Sequence, residues 1–191
     1  MRSYEVTSVS TINILTTAEI KSHLKVDTTA DDTLIDNLRD AATNSAQEYT
    51  NRFFTTTTLT QYADKWSEIS ELYKSPLQSI SHIKYYDTNN VLQTLAASVY
   101  ISDSSAMPPR IALAPDQTYP DLADRIAAIR VEYIVGVTTA DLVDKAIKQA
   151  VLLTIGHWYQ NREAVVVGRI ATELPMSAKY LLDQYKIQVA R

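Results

Sequence analysis

A chain of 191 residues, 46% hydrophobic and 21% charged, has the make-up of a folded protein with one core, or one core carrying an insertion; it is too short for two large independent domains. With no cysteine it can build neither a disulfide framework nor a thiolate metal site nor a cysteine nucleophile, and its three histidines, His23, His82 and His157, stand far apart. A formal charge of -4 excludes the basic excess of a protein that reads nucleic-acid sequence.

The start, MRSYEVTSVSTINILTT, reads as a polar arm with no apolar core of signal-peptide length. The longest apolar-rich run, residues 150–159, falls short of the roughly 20 residues of a membrane span, so no membrane partner is expected. In LTTAEIKSHLKV a helix begins with Thr16 placed to cap it and Glu19 placed to reach back to the cap amide, while Leu15 and Ile20 have the spacing of a hydrophobic staple. That helix is predicted over 16–26 and a longer one over 30–52. The longer helix is expected to turn Leu34, Leu38, Ala41, Ala42, Ser45 and Tyr49 inward, with Asp32, Asp36, Arg39 and Gln47 opposite.

From 55 to 135 the texture changes to threonine, tyrosine and β-branched residues. TTTTLTQYADKW, ISHIKYYD, SVYISD, PRIALAP and AIRVEYIVG each suit a strand, and 87–90 suits a hairpin turn. A small sheet or sandwich inserted in a helical base follows. Helical periodicity returns over 138–164, with Thr138 and Asp141 as a box-like start; Leu142, Ala146, Ala150, Leu153 and His157 form one stripe, which Val143, Ile147, Val151 and Trp158 widen. A last amphipathic helix is predicted over 176–187. The fold class is therefore α+β: about four helices in a bundle with an inserted β subdomain, divided as 1–54, 55–137 and 138–191.

The stretch HWYQNREAVVVGRIATELP (157–175) crowds a histidine, two arginines and two glutamates behind an apolar run, as a catalytic cleft would. A general base at His157 would need a substrate group in reach and a partner to fix its tautomer, yet its helical neighbours are Leu153 and Asn161. HExxH, GxSxG and a glycine-rich phosphate loop are all missing from the sequence. His157 is read as packed and hydrogen-bonded, with no catalytic residue and no cofactor or metal assigned. Trp158 lies one turn before Arg162, a spacing for guanidinium stacking on indole, and Tyr159 one turn before Glu163. The run Val165, Val166, Val167 would leave an adhesive strand edge in water, so a partner is expected to cover it. Asp31, Asp32, Asp36 and Asp40 weakly resemble magnesium-holding clusters of diphosphate chemistry, but carboxylates near a helix start are favoured by the helix dipole anyway.

Three segments together carry a family resemblance: LTTAEIKSHLKVDTTADDTLIDNLRDAATNSAQEYTNR, YKSPLQSISHIKYYD and VDKAIKQAVLLTIGHWYQNREAVVVGRIATELPMSAKYLLDQYK. In combination they resemble the head-tail connector (adaptor) proteins of tailed bacteriophages. The resemblance implies a non-enzymatic virion structural protein, assembled in the host cytoplasm into a ring of twelve copies in the neck. It would lie beneath the portal, meet a stopper or tail-completion protein, and continue the channel through which the genome DNA leaves without sequence-specific binding. An acidic lumen would let DNA slide. Shorter family members lack a β region of this size, which is expected on the outer side of the ring or toward the tail. The residues assigned to portal docking are Lys179, Tyr180, Leu181, Leu182, Tyr185, Lys186 and Arg191; those assigned to contacts between subunits are Trp158, Arg162, Glu163, Val165, Val166 and Val167. Deletion of 176–191 is expected to leave a folded chain that no longer binds the portal. The rivals are an all-α nucleotide pyrophosphohydrolase-like enzyme using Asp31, Asp32 and Asp36 with magnesium, and another neck or tail-completion protein.

Overall fold

The computed structural model describes residues 3–161, 165–166, 169–170 and 174–187, with backbone alone for 165–166 and 169–170. The chain divides into two compact units. One contains the stretch up to Thr11 together with Asn51–Thr138 and the residues from Ile187 on; the other contains Ile12–Thr50 and Thr139–Lys186. The fold class is α+β.

The first unit is built on a five-stranded antiparallel sheet. Its strands are β1 (Ser3–Val9), β2 (Thr57–Ala63), β3 (Leu77–Tyr86), β4 (Leu92–Thr94) and β7 (Ile129–Val135), in the order β1-β2-β7-β3-β4. A separate hairpin pairs β5 (Tyr100–Asp103) with β6 (Arg110–Leu113). The five strands predicted from sequence are all present. The N-terminal arm is not a loose arm beside the helices: it runs as β1 on the edge of the sheet, and β4 completes the hairpin turned at 87–90. Neither was legible, because SYEVTSV carries few apolar residues and β4 has only three residues.

Strict alternation makes the centre of this sheet. In both β2 and β7 every second residue is buried, so Thr57, Leu59, Gln61 and Ala63 face the core opposite Val135, Tyr133, Val131 and Ile129. Ile69, Leu72, Leu95 and Ile111 cover that face and complete one apolar cluster. The polar members of the layer are satisfied internally: the Tyr133 hydroxyl lies 3.3 Å from Gln61 Oε1, and Gln61 Nε2 donates to the Glu71 carbonyl. Burial raises the Tyr133 phenol far above its ordinary pKa, so it stays a neutral donor. At the end of β7, Gly136 has φ +88°, and a Cβ there would sit 2.1 Å from the Thr55 carbonyl oxygen. Only glycine lets the two backbones approach so closely.

The second unit holds α1 (Thr17–Leu24), α2 (Asp32–Thr50), α3 (Lys145–Gln160) and α4 (Met176–Asp183). The capping box at α1 forms as the sequence dictates: Thr16 Oγ1 accepts from the Glu19 amide at 3.2 Å while Glu19 Oε2 accepts from the Thr16 amide at 2.7 Å. Leu15 and Ile20 are both buried, as a staple requires. Two corrections concern faces and ends. On α2 the buried residues are Ile35, Arg39, Ala42, Ala46, Gln47 and Thr50, so Arg39 and Gln47 lie inside rather than opposite the core. Arg39 is neutralised there by Asp36 at 2.8 Å and Asp40 at 2.9 Å. On α3 the start lies at Lys145, capped by the Asp144 carboxylate on the Ala146 amide; the Thr138–Asp141 stretch instead runs into a single 3-10 turn, Ala140–Leu142. Ile147, Ala150, Val151, Thr154 and Ile155 make the buried stripe. Alanines at 42, 46, 150 and 178, all fully or almost fully buried, let helices approach closely, with α3 packed on α1, α2 and α4. Among the described residues no helix is long and apolar enough to cross a membrane.

Candidate assembly interface

The end of α3 shows how HWYQNRE is used locally. His157, Trp158 and Tyr159 are half-buried. Asn161 caps the helix by donating from Nδ2 to the His157 carbonyl at 2.8 Å, with the same nitrogen 3.4 Å from His157 Nδ1. Tyr159 donates its hydroxyl to the Asp31 carboxylate, which ties the end of α3 to the approach of α2. These are packing and capping roles. Arg162, Glu163 and Val167 lie outside the described residues. Val165 and Val166 form β8 (Val165–Val166), which pairs antiparallel with β9 (Arg169–Ile170) as a short hairpin.

The carboxylates of the acidic helix start are each engaged by a side chain of the same unit, Asp36 and Asp40 sharing Arg39. Asp32 takes the Lys21 ammonium at 2.7 Å, Asp36 accepts from Thr17 Oγ1 and Arg39, Asp40 from Arg39, and Asp31 from Tyr159. Among the described residues no three histidine, cysteine, aspartate or glutamate side chains converge as a metal site would require. Asp32, Asp36 and Asp40 are thus paired with cations of their own unit, and Asp31 with a tyrosine hydroxyl.

Along α4 the assigned docking residues divide into two groups. Leu182 is fully buried and, with Ala178, forms the inward face of the helix. Lys186 stands 4.5 Å over the Tyr49 ring, whose hydroxyl donates to Asp183 at 2.6 Å. Tyr185 is hydrogen-bonded to Asp144 and, with the Ala146 amide, holds that carboxyl below its ordinary pKa. These three residues fasten α4 to its own unit. Facing outward instead are Tyr180, 80% exposed, and Met176, 87% exposed, one helical turn apart. Lys179 and Leu181 flank them, half-buried. Met176 is not among the docking residues expected from sequence, although its i, i+4 relation to Tyr180 is readable there. Arg191 lies outside the described residues.

These surfaces belong to a fold with known relatives. The chain superimposes on a chain from the virion of a native gene transfer agent (GTA) particle with a TM-score of 0.78 at 17% identity, covering 98% of this chain and 97% of the other. Chains from the neck of an empty GTA particle computed with C6 symmetry and the neck of a native GTA particle computed with C12 symmetry give 0.76 at 17% and 0.75 at 15%. They cover 99% and 98% of this chain, and 97% of their own length in each case. No curated protein sequence matches. The model of the phage gp6-like head-tail connector proteins matches residues 15–113, more than half of the chain, from the capped start of α1 through the hairpin of β5 and β6. The chain therefore belongs to the phage gp6-like head-tail connector family, whose members are structural parts of the joint between head and tail.

Proposed function

We infer that this chain is a virion neck protein that acts as one subunit of a twelve-copy ring, set beneath the portal and continuing the DNA exit channel toward a stopper or tail-completion protein. The observation that carries this reading is the family match over residues 15–113. The likeness in fold to chains of GTA necks, one of them computed with C12 symmetry, supports the ring. A chain of net charge -4 suits a channel wall past which DNA slides. The protein works by shape and contact and not by turnover.

Portal docking is assigned to the outward turn of α4, with Tyr180 as its anchor beside Met176, Lys179 and Leu181; an exposed aromatic next to a cation is the composition of an interface hot spot. Leu182, Tyr185 and Lys186 serve it indirectly, by holding the helix in place. Contacts between subunits are assigned to Trp158 and the hairpin carrying Val165 and Val166, with Arg162, Glu163 and Val167 beside them. The sheet unit would stand on the outer side of the ring or toward the tail.

The test is cryo-electron imaging of the purified protein mixed with its cognate portal. A ring of added density is expected beneath the portal, and Tyr180→Ala is expected to remove it while the folded chain persists. Failure of the wild-type protein to associate across a wide range of salt and concentration would sink the connector reading.

A further inference from the structure

The two edges of the five-stranded sheet are unlike. β4 closes one edge with only three residues, whereas β1 forms the other with seven. Natural sheets blunt a long edge with charges, prolines, bulges or a cover, because its unpaired amides and carbonyls accept any passing strand; β1 carries one charge and one bulge. The sequence of β1, SYEVTSV, has no proline and no lysine, and Glu5 is its one charge. Among the described residues no strand pairs with its outer side.

The register adds a second, independent feature. Tyr4 lies opposite Gln61, Val6 opposite Leu59 and Val9 opposite Thr57, and those three partners all face the core. The irregularity between Val6 and Ser8 absorbs Thr7 as an extra residue, so that Val9 returns to the face of Val6. Ser3, Glu5 and Ser8 take the other face, where Ser8 meets Thr58 and Glu5 accepts from the Tyr62 hydroxyl. The bulge thus keeps every large apolar residue of β1 on the core side of the sheet. The cover, however, stops short of that strand. Leu59 and Gln61 are fully buried, while their neighbours Val6 and Tyr4 are 41% and 37% exposed and Val9 is 59% exposed. Tyr4 is flanked there by Tyr73, edge-on at 6.3 Å, and by the Lys74 ammonium, 5.6 Å from its centroid.

We propose that β1 is a lateral seam between subunits: a second copy of this chain covers the Tyr4, Val6, Val9 face and takes up the free edge of the strand. The proposal rests on the ring reading and names a surface for it. A closed ring of identical subunits needs a contact that is not self-complementary, made by different patches on the two neighbours. A strand edge is such a patch, because it pairs sideways with a segment that need not be its own copy. The opposite edge of the same sheet is too short to serve, so the asymmetry gives each subunit one receiving side. An apolar face placed by a bulge in line with the core, then left without cover in the single chain, is what such a contact would leave behind.

The test places a photoactivatable benzoylphenylalanine at Val9 of the full chain, in purified particles and in the purified protein. The seam predicts a crosslinked species of twice the chain mass, with the peptide joined to residue 9 coming from this same sequence. A Val6→Lys background should lose at least ten-fold of that species while the single chain keeps its denaturation midpoint. A crosslink to any other virion protein, or none where wild-type chain is present in particles, overturns the seam and leaves the connector reading intact. Absence of the wild-type chain from particles sinks the connector reading instead. The seam is then decided on the purified protein, where a monomer at millimolar concentration overturns it and a residue 9 crosslink between copies upholds it.

Discussion

In the sheet unit β2 and β7 bury alternate residues along their whole length, and the cluster around Leu59, Ile83, Val131 and Tyr133 is made largely of branched and aromatic side chains. In the helical unit the corresponding contacts run through alanines at 42, 46, 150 and 178, with Arg39, Gln47, Thr50 and Thr154 buried beside them. The first core gains most by filling volume, and the second by letting backbones come close. Large-to-small changes should therefore hurt the sheet most, while in the helical unit the severe losses should fall on the few large residues that fill between alanines.

The sharpest expected loss is at Tyr133. Tyr133→Ala empties the centre of the sheet and should cost about 4 kcal/mol in a denaturant titration. Tyr133→Phe keeps the ring but leaves Gln61 Oε1 without its hydroxyl neighbour, for about 1 kcal/mol. Equal losses in the two variants would show that the hydroxyl, and not the volume, holds this layer.

On α4 the comparison can be made within one helix. Leu182→Ala should cost about 3 kcal/mol, because the side chain is fully buried. Tyr180→Ala should move stability by no more than about 0.5 kcal/mol and remove portal binding instead. The deletion of 176–191 cannot separate these effects, since it strips Ala178 and Leu182 from the core along with the exposed turn. A loss of stability at Tyr180 matching that at Leu182 would mean that α4 has no outward-facing role. Back in the sheet unit, Gly136→Ala should cost about 2 kcal/mol or more from a left-handed backbone and a clash with the Thr55 carbonyl. A normal midpoint for that variant would show that the turn after β7 can yield.

What could be read in the sequence follows the same division. Strands with period-two burial announced themselves, and so did the α1 start, where Thr16, Glu19, Leu15 and Ile20 are all local signals. The core stripe of α2 is hard to read from sequence because small residues flank it on both sides. Leu34 and Leu38 look more apolar than Arg39 and Gln47, yet Arg39 goes inside, its charge met by Asp36 and Asp40. Strand β1 leaves no local signal, since its pairing is with β2, some fifty residues away, and its apolar residues are interrupted by a bulge. The docking residues of α4 were legible as a helix but not as two faces: the contacts of Tyr185 with Asp144 and of Lys186 with Tyr49 join segments far apart in the chain.

The smallest expected effect tests the one element whose structure is wholly local. Thr16→Ala removes the side-chain cap of α1 and should cost about 1 kcal/mol at neutral pH. Glu19 is the pH-dependent half of the same box: hydrogen bonds from the Thr16 amide and hydroxyl hold its carboxyl below the ordinary value of 4.5. A carboxyl with a depressed folded-state pKa contributes stability above its unfolded value and loses it as pH falls through the folded one. Because Glu19 is exposed, solvent keeps that contribution small. Glu19→Gln should therefore be slightly less stable than wild type at neutral pH, begin to converge on it below 4.5, and meet it once the pH has fallen through the lowered folded-state value and both side chains are uncharged. In a Thr16→Ala background the same substitution should show a smaller pH dependence, since one of the donors that lowers the carboxyl is gone. A gap between Glu19→Gln and wild type that persists unchanged into acid would place the contribution of Glu19 in packing rather than in the capping charge.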